Sequence, residues 1–303
     1  MRVLITGASG AIGRALADAL LARGDDVFAL SRDPERARAT NPTIRWFPWD
    51  ATLERPPEAA FEAVDGVVNL IGEPINQRWS DEAKERILAS RETATKNLVA
   101  AIGSLGPKPK VLVSQSAVGY YGDRGEAITD ESGPQGAGFD AGVCAAWEAA
   151  AREISGSGVR LVILRTGLVL DRDSGLLKEL LVPFKLGVGG PLAGGSNYMP
   201  WISLGDEVGI LLWALDNDGV AGLLNATAPN PVTNRQFSKA LGKALRRPAV
   251  VPVPKLALVA RLGSEMAEAA LASQRVVPRR ALDAGYVFKY AEIDSALAAA
   301  LNG

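Results

Sequence analysis

The stretch MRVLITGASGAIGRALADALLARGDD, residues 1–26, decides the fold. Residues 3–6 are a short apolar run, residues 12–21 are rich in Ala and Leu up to Gly24, and Gly7, Gly10 and Gly13 lie between the two. Glycines at a strand-to-helix turn allow a tight bend and close approach of a diphosphate to the backbone, and the last one lets helix and strand pack. The start of the helix adds unpaired N–H donors for an anion. A G-x-x-G-x-x-G spacing after an apolar strand and before a helix therefore predicts a dinucleotide site made by Gly7, Ser9, Gly10, Ala11, Ile12 and Gly13.

The same rhythm continues outward. Apolar runs at residues 27–30, 44–47, 66–71, 111–114 and 160–164 read as strands, with long helical patterns at 80–102 and 139–154. Short apolar strands that alternate with helices indicate a parallel sheet covered on both faces. The predicted fold is α/β, a Rossmann-type doubly wound parallel sheet with a smaller C-terminal α/β substrate lobe. Residues 1–170 are expected to form the nucleotide-binding domain and 171–303 the lobe, which starts at the Gly- and Pro-rich GVGGPLAGGSNYMPW. Within it, residues 201–230 are candidates to return to the core, and 250–300 read as a helical tail with two helical segments.

Composition narrows the chemistry. The 303 residues include no histidine and one cysteine, Cys144, which excludes Ser-His-Asp and Cys-His nucleophile pairs and any His-ligated zinc. No metal site is expected. A single cysteine fits a reducing cytoplasm, and no apolar run approaches the ~20 residues of a membrane span. The net charge is −1, with Lys and Arg scattered in ones and twos, so neither nucleic-acid nor membrane binding is expected. The expected partner is a small-molecule substrate, with a homodimer left open. Proton transfer falls to Tyr, Ser, Lys, Asp, Glu or a cofactor.

The choice of nucleotide is made after the second strand, in VFALSRDP. An acid there bonds a ribose 2′-hydroxyl, whereas arginine suits a 2′-phosphate. Ser31 stands where the acid belongs and Arg32 follows it, while Asp33, before Pro34, falls in the turn. This pattern predicts NADP(H). Asp50 is placed to meet adenine, and Leu70, Ile71 and Gly72 to run beneath the nicotinamide ribose.

GASGAIG, SRDP, NLIGEPI with Arg78-Trp79, ILASR, SAVGYYG, LRTGLVL, PWISLGD and TAPNPVTN follow one another in an order that resembles the extended short-chain dehydrogenase/reductase superfamily. More narrowly, the chain is similar to its bacterial and organellar "epimerase family" branch, NAD-dependent epimerase/dehydratase-like, with a C-terminal domain of uncharacterised role. The resemblance runs over essentially the whole chain. It implies a Rossmann core, bound NADP(H), and cofactor contacts at Gly7, Gly10, Gly13, Ser31, Arg32, Leu70, Ile71 and Arg91.

The wider superfamily pairs a strand-end serine with a Tyr and a Lys four apart on the next helix. In GFDAGVCAAWE, residues 138–148, those slots hold Asp140 and Cys144, or Phe139 and Val143 after a shift of one. Neither register supplies a phenol or an amine, and the stretch reads as core packing around an inert thiol. Ser116 matches the strand-end serine, and Tyr120 and Tyr121 follow it in one loop. Tyr120, with Ser116 holding a carbonyl oxygen, is the candidate acid and Tyr121 the alternative; the competing reading is that both tyrosines only line the pocket wall. Glu73 reads either as a pocket carboxylate or as a solvated one, Tyr198 and Trp201 either as an apolar wall against a substrate or as core packing, and Arg165 is expected to serve a carboxylate. These features predict an NADP(H)-dependent oxidoreductase or epimerase-like enzyme acting on a small carbonyl or sugar-like substrate. Two rivals stay open: a redox-sensing NADP(H)-binding protein without turnover, and a methyltransferase using S-adenosylmethionine.

Overall fold

Val3, Leu4 and Ile5 all lie at 0% exposure, as a strand covered on both faces requires. In the computed structural model, which describes residues 1–302, this strand is an inner one of a seven-stranded sheet. The strands are β1 (Arg2–Thr6), β2 (Asp26–Ser31), β3 (Arg45–Pro48), β4 (Gly66–Asn69), β5 (Val111–Ala117), β6 (Arg160–Thr166) and β7 (Gly222–Ala226). All neighbours run parallel, in the order β7-β6-β5-β4-β1-β2-β3. The chain winds one way through β1, β2 and β3 and the other way from β4, so the crevice that such sheets offer to ligands opens between β1 and β4.

Helices cover both faces. On one, α1 (Ala11–Ala22) and α7 (Leu204–Asp216) pack Leu16, Leu20, Ile210 and Leu211 against Val3, Ile5 and Val113. On the other, α4 (Glu92–Ser104) packs Leu98 and Ile102 against Leu4 and Leu112. α5 (Phe139–Arg152) lies beside α4, and α2 (Pro34–Thr40) follows β2. Residues 204–226 thus return to the central sheet after the chain has left it.

A single helix was expected over 80–102. Two form instead, α3 (Asp81–Ala89) and α4, broken at Ser90 and Arg91. Ser90 Oγ donates to the Ile87 carbonyl and accepts from the Glu73 backbone N–H at 2.9 Å, tying the break to the loop after β4. Ser and Asn side chains compete with helical hydrogen bonding in this way.

The C-terminal lobe is built on α6 (Gly175–Lys185) and α8 (Asn234–Leu245), whose Leu177, Leu181, Phe184, Phe237 and Leu241 form a core of their own. Four helices follow rather than the expected two: α9 (Lys255–Leu262), α10 (Ser264–Leu271), α11 (Arg279–Asp283) and α12 (Ile293–Asn302). Among the described residues, no helix is long and apolar enough to cross a membrane, and no cluster of His, Cys, Asp and Glu could hold a metal ion.

One carboxyl between α7 and the sheet has an unusual state. Glu207 is fully buried; Thr166 Oγ1 donates to its Oε1 at 2.9 Å, and Oε2 has no partner. Burial pushes this carboxyl up to about 8. The folded chain therefore keeps a proton that the unfolded chain releases near the ordinary 4.5, and stability drains away as pH climbs from 4.5 to about 8. Glu207→Gln, which needs no proton, should gain on the parent across that window and hold a constant lead of ~5 kcal/mol above it. Urea unfolding at a series of pH values measures this, and parallel curves for the two proteins would refute it.

Candidate functional site

The C-terminal ends of the strands are locked by buried polar groups. Thr6 Oγ1 donates to Asn69 Oδ1 at 2.7 Å, and Asn69 Nδ2 donates to Thr95 Oγ1 at 3.0 Å and Ser114 Oγ at 3.2 Å. Thr6 Oγ1 also accepts from the Leu70 N–H at 3.0 Å. β1, β4, β5 and α4 are thereby held in register at the edge where the loops begin. Short polar residues at strand ends gave no such signal in the sequence.

The glycine turn divides into structural and open positions. Gly7 has φ +69°, and a Cβ there would stand 2.7 Å from the Leu70 carbonyl oxygen. A Cβ on Gly13 would collide with the Gly7 carbonyl, so helix and strand could not pack. Gly10 differs: it is exposed, its φ of −76° suits any residue, and a Cβ would come no nearer than 3.3 Å to Gly7 O. It caps α1 with no side chain, and the first turn, Ala11 to Gly13, contains no acid. Ser9 is exposed beside it. The amides of this turn face an open, uncapped, anion-favouring end.

After β2, Asp33 is occupied. Its Oδ1 accepts from the Arg36 N–H at 3.0 Å and caps α2, while Ser31 Oγ accepts from the Asp33 N–H at 3.1 Å. Arg32 is exposed and bonds no other described residue. Asp50 is half-buried and starts a turn, accepting from Thr52 N–H and Oγ1 at 3.3 and 3.1 Å.

Leu70 and Ile71 leave β4 half-buried, and Arg91 lies across the bare face of Gly72, where a Cβ would be 3.0 Å from its guanidinium. Arg91 donates to Ile87 O at 3.2 Å and stacks 5.1 Å from the Trp147 ring. It has no carboxylate partner, and burial lowers its pKa. Glu73 stays half-buried with its carboxylate 3.9 Å from Arg86.

Beneath the tyrosine loop sits a network the sequence reading missed. Arg165 on β6 donates from Nε and Nη2 to the two oxygens of Glu148 on α5, at 2.6 and 2.9 Å. Arg152 adds a third bond to Oε2 at 2.8 Å. The Arg165 guanidinium lies 3.3 Å from the centre of the Tyr120 ring and 4.8 Å from that of Tyr121. Arg165 was expected to serve a carboxylate, and does. The usable signal was Glu148 itself, an acid four residues after Cys144 on the stripe that begins at Asp140.

Three of the candidate side chains are buried. Ser116 is 1% exposed and donates its hydroxyl to Glu148 Oε1 at 2.9 Å, so it faces α5 rather than the crevice. Tyr121 is fully buried, donates to Asn225 Oδ1 at 2.7 Å, and has its phenol pushed up to about 12 by burial. Trp201 is a core side chain of the C-terminal lobe, donating to Asn230 O at 3.1 Å. Tyr120 remains half-buried, packed edge-on against Tyr121, and its hydroxyl bonds no described residue. Tyr198 is half-buried under Arg275. On α5, burial pushes the Cys144 thiol up to about 12, and Asp140 is also raised by burial. The thiol is inert, as its surroundings suggested.

Residues 3–225 match the NAD dependent epimerase/dehydratase family, and residues 253–300 match a domain of unknown function (DUF1731). The chain is 40% identical to the epimerase family protein SDR39U1 of Bos taurus, covering 98% of each. A crystal structure of human epimerase family protein SDR39U1 (isoform 2) with NADPH superposes with a TM-score of 0.90 at 38% identity, covering 100% of both chains. A nucleoside-diphosphate sugar epimerase from Corynebacterium glutamicum gives 0.80 at 32% identity, covering 99% of this chain and 58% of that one.

The Glu148–Arg165 pair can be tested without a substrate. Glu148→Ala leaves a buried guanidinium without its carboxylate, and breaking such a pair from one side costs about 3–5 kcal/mol. Equilibrium unfolding in urea should show that loss, with a smaller one for Ser116→Ala. An effect of Glu148→Ala below that of Ser116→Ala would show that the network carries little.

Proposed function

This chain belongs to the NAD dependent epimerase/dehydratase family, and from that premise we propose that it is an NADP(H)-dependent oxidoreductase or epimerase-like enzyme acting on a small carbonyl or sugar-like compound. The observation that carries the choice of cofactor is the pair after β2. Asp33, the one acid near the ribose position, is committed to capping α2, whereas Arg32 is exposed and unengaged. The NADPH in the human relative's crystal structure supports the same choice.

The residues present fit such a cofactor. The uncapped amides from Gly10 to Gly13 hold the diphosphate, Ser31 and Arg32 the 2′-phosphate, and Asp50 the adenine side. Leu70, Ile71 and Gly72 flank the nicotinamide ribose, with Arg91 behind Gly72. A bound nicotinamide supplies or accepts a hydride. The chain's own task is then to hold the substrate oxygen and to move one proton.

Tyr120 is the residue proposed to give that proton. Its hydroxyl is uncommitted, and its ring rests on the Arg165 guanidinium. The superfamily lysine is missing, and the cation under the ring is the Arg165 guanidinium. That charge stabilises the negative charge that develops as the proton leaves. Ser116 and Glu148 act as positioning residues for Arg165, and Tyr121 anchors the loop through Asn225.

A second reading has its own support. Asp140 and Cys144 stand where a Tyr-Lys pair would, and the thiol is pushed up to about 12, so α5 provides no acid–base couple. An NADP(H)-binding regulatory protein without turnover needs none. Fluorescence titration with NADPH and NADH, followed by NADPH oxidation over a carbonyl panel, separates the two readings.

Arg32→Ala should weaken NADPH binding roughly ten- to a hundredfold while leaving NADH unchanged, since a charge-assisted hydrogen bond contributes about 1.5–3 kcal/mol. Equal losses for both nucleotides would remove the role given to Arg32. Tyr120→Phe should keep NADPH affinity and lower kcat by about 10²-fold or more; full turnover would remove Tyr120 as the acid.

A further inference from the structure

Six of the eleven exposed large apolar side chains among the described residues gather at one end of the C-terminal lobe. They are Val182 at 65%, Leu186 at 73%, Val188 at 53%, Val250 at 76%, Val251 at 43% and Leu256 at 79% exposure. Two segments bring them together. Arg247 Nε donates to Lys185 O at 3.0 Å, Val251 N–H to Gly189 O at 3.3 Å, and Val253 N–H to Pro191 O at 2.9 Å. Residues 185–191 and 247–253 therefore run side by side. Val182 and Leu186 are one turn apart on the same stripe of α6, and Leu256 opens α9 three residues beyond Val253.

The charge around this tip is predominantly positive. Residues 219–264 hold seven Lys or Arg and no Asp or Glu, which leaves −8 on the rest of a chain whose net charge is −1. Lys178, Lys185, Arg246, Arg247 and Lys255 are all exposed around the apolar side chains. The acids near them are occupied: Glu179 accepts from Asn76 and Arg261, and Glu268 stands 3.9 Å from Lys255. In the sequence these cations looked scattered; folding gathers them.

We propose that this end of the C-terminal lobe is a docking surface for an anionic lipid bilayer. Exposed aliphatic side chains inside a ring of Lys and Arg match an interface in which the apolar groups enter the acyl boundary and the cations meet anionic headgroups. A second copy of this chain is a poorer occupant, because a two-fold contact would bring the same basic rims face to face. Nucleic acid would leave the apolar tip unused. The inference is independent of the proposed catalytic activity.

The experiment is vesicle flotation with the full chain, using phosphatidylcholine alone and phosphatidylcholine containing phosphatidylglycerol. Binding to the anionic vesicles only, weakened by salt, is expected. Lys178→Glu with Lys185→Glu should reduce it about tenfold or more, and Leu186→Ser with Val250→Ser should also reduce it, with melting temperatures close to the parent's. Three results would overturn the proposal: no flotation on anionic vesicles at low salt, equal flotation on neutral ones, or undiminished binding by the folded variants. It also falls if soluble polyglutamate binds the parent as tightly as vesicles do and the serine variant keeps vesicle binding, which marks an acidic polypeptide as the partner. A concentration-dependent dimer that the serine variant abolishes would make the patch a self-interface instead.

Discussion

The pairing of Glu148 with Arg165 is the contact on which the candidate site rests. Both groups are essentially dry, at 1% and 2% exposure. Desolvating two charges is expensive, and the cost is offset by filling the carboxylate's hydrogen-bonding capacity, with Arg165 Nη1 left without a hydrogen-bond partner. Two nitrogens of Arg165, the Ser116 hydroxyl and Arg152 all converge on the one carboxylate. This joins α5 to β5 and β6 and fixes a flat guanidinium under the tyrosine loop. A hydrophobic pair of equal volume could fill the same space, but it would leave Tyr120 resting on nothing charged.

The arrangement also bears on the role proposed for Tyr120, because α5 carries no tyrosine–lysine pair. On α5 the face that would carry them packs instead: Val143 joins Trp79 and Ile87, Phe139 meets Trp79 at 5.0 Å between ring centres, and Cys144 is sealed in. Such a face has no water to stabilise an ammonium or a phenolate. The loop after β5 is half-open, and a strand-borne arginine there can do electrostatically what a helix-borne lysine would do elsewhere.

The legible part of the sequence is the part governed by local chemistry. The glycine turn, the alternating apolar runs and the Ser31-Arg32-Asp33 turn each depend on neighbours within a few residues, and each has its expected form. The orientations of Ser116, Tyr121 and Trp201 were not legible, because they depend on partners 32, 104 and 29 residues away: Glu148, Asn225 and Asn230. A period-two strand pattern says that residues 114 and 116 share a face. It does not say that the face belongs to a buried carboxylate. The basic rim of the C-terminal lobe was hidden for the same reason, since Lys185 and Arg247 are neighbours only after α6 and α8 pack.

The segment matching the domain of unknown function acts as a strap between two halves of the molecule. From α10, Glu265 pairs with Lys84 of α3 at 2.5 Å, and Met266 and Ala269 pack against the Trp79 cluster. From α9, Arg261 reaches Glu179 of α6 at 2.8 Å, and Glu179 also takes a hydrogen bond from Asn76 in the loop after β4. These surface pairs are individually weak. Farther along, Asn225 Nδ2 donates to Val277 O at 3.0 Å, and Glu131 accepts from the backbone of both Asn225 and Arg280. Those buried contacts fix the strap to the same Asn225 that holds Tyr121. The C-terminal segment therefore bears on the tyrosine loop both through that asparagine and directly, since Gln274 Nε2 donates to Val118 O at 3.2 Å and to Gly122 O at 3.1 Å.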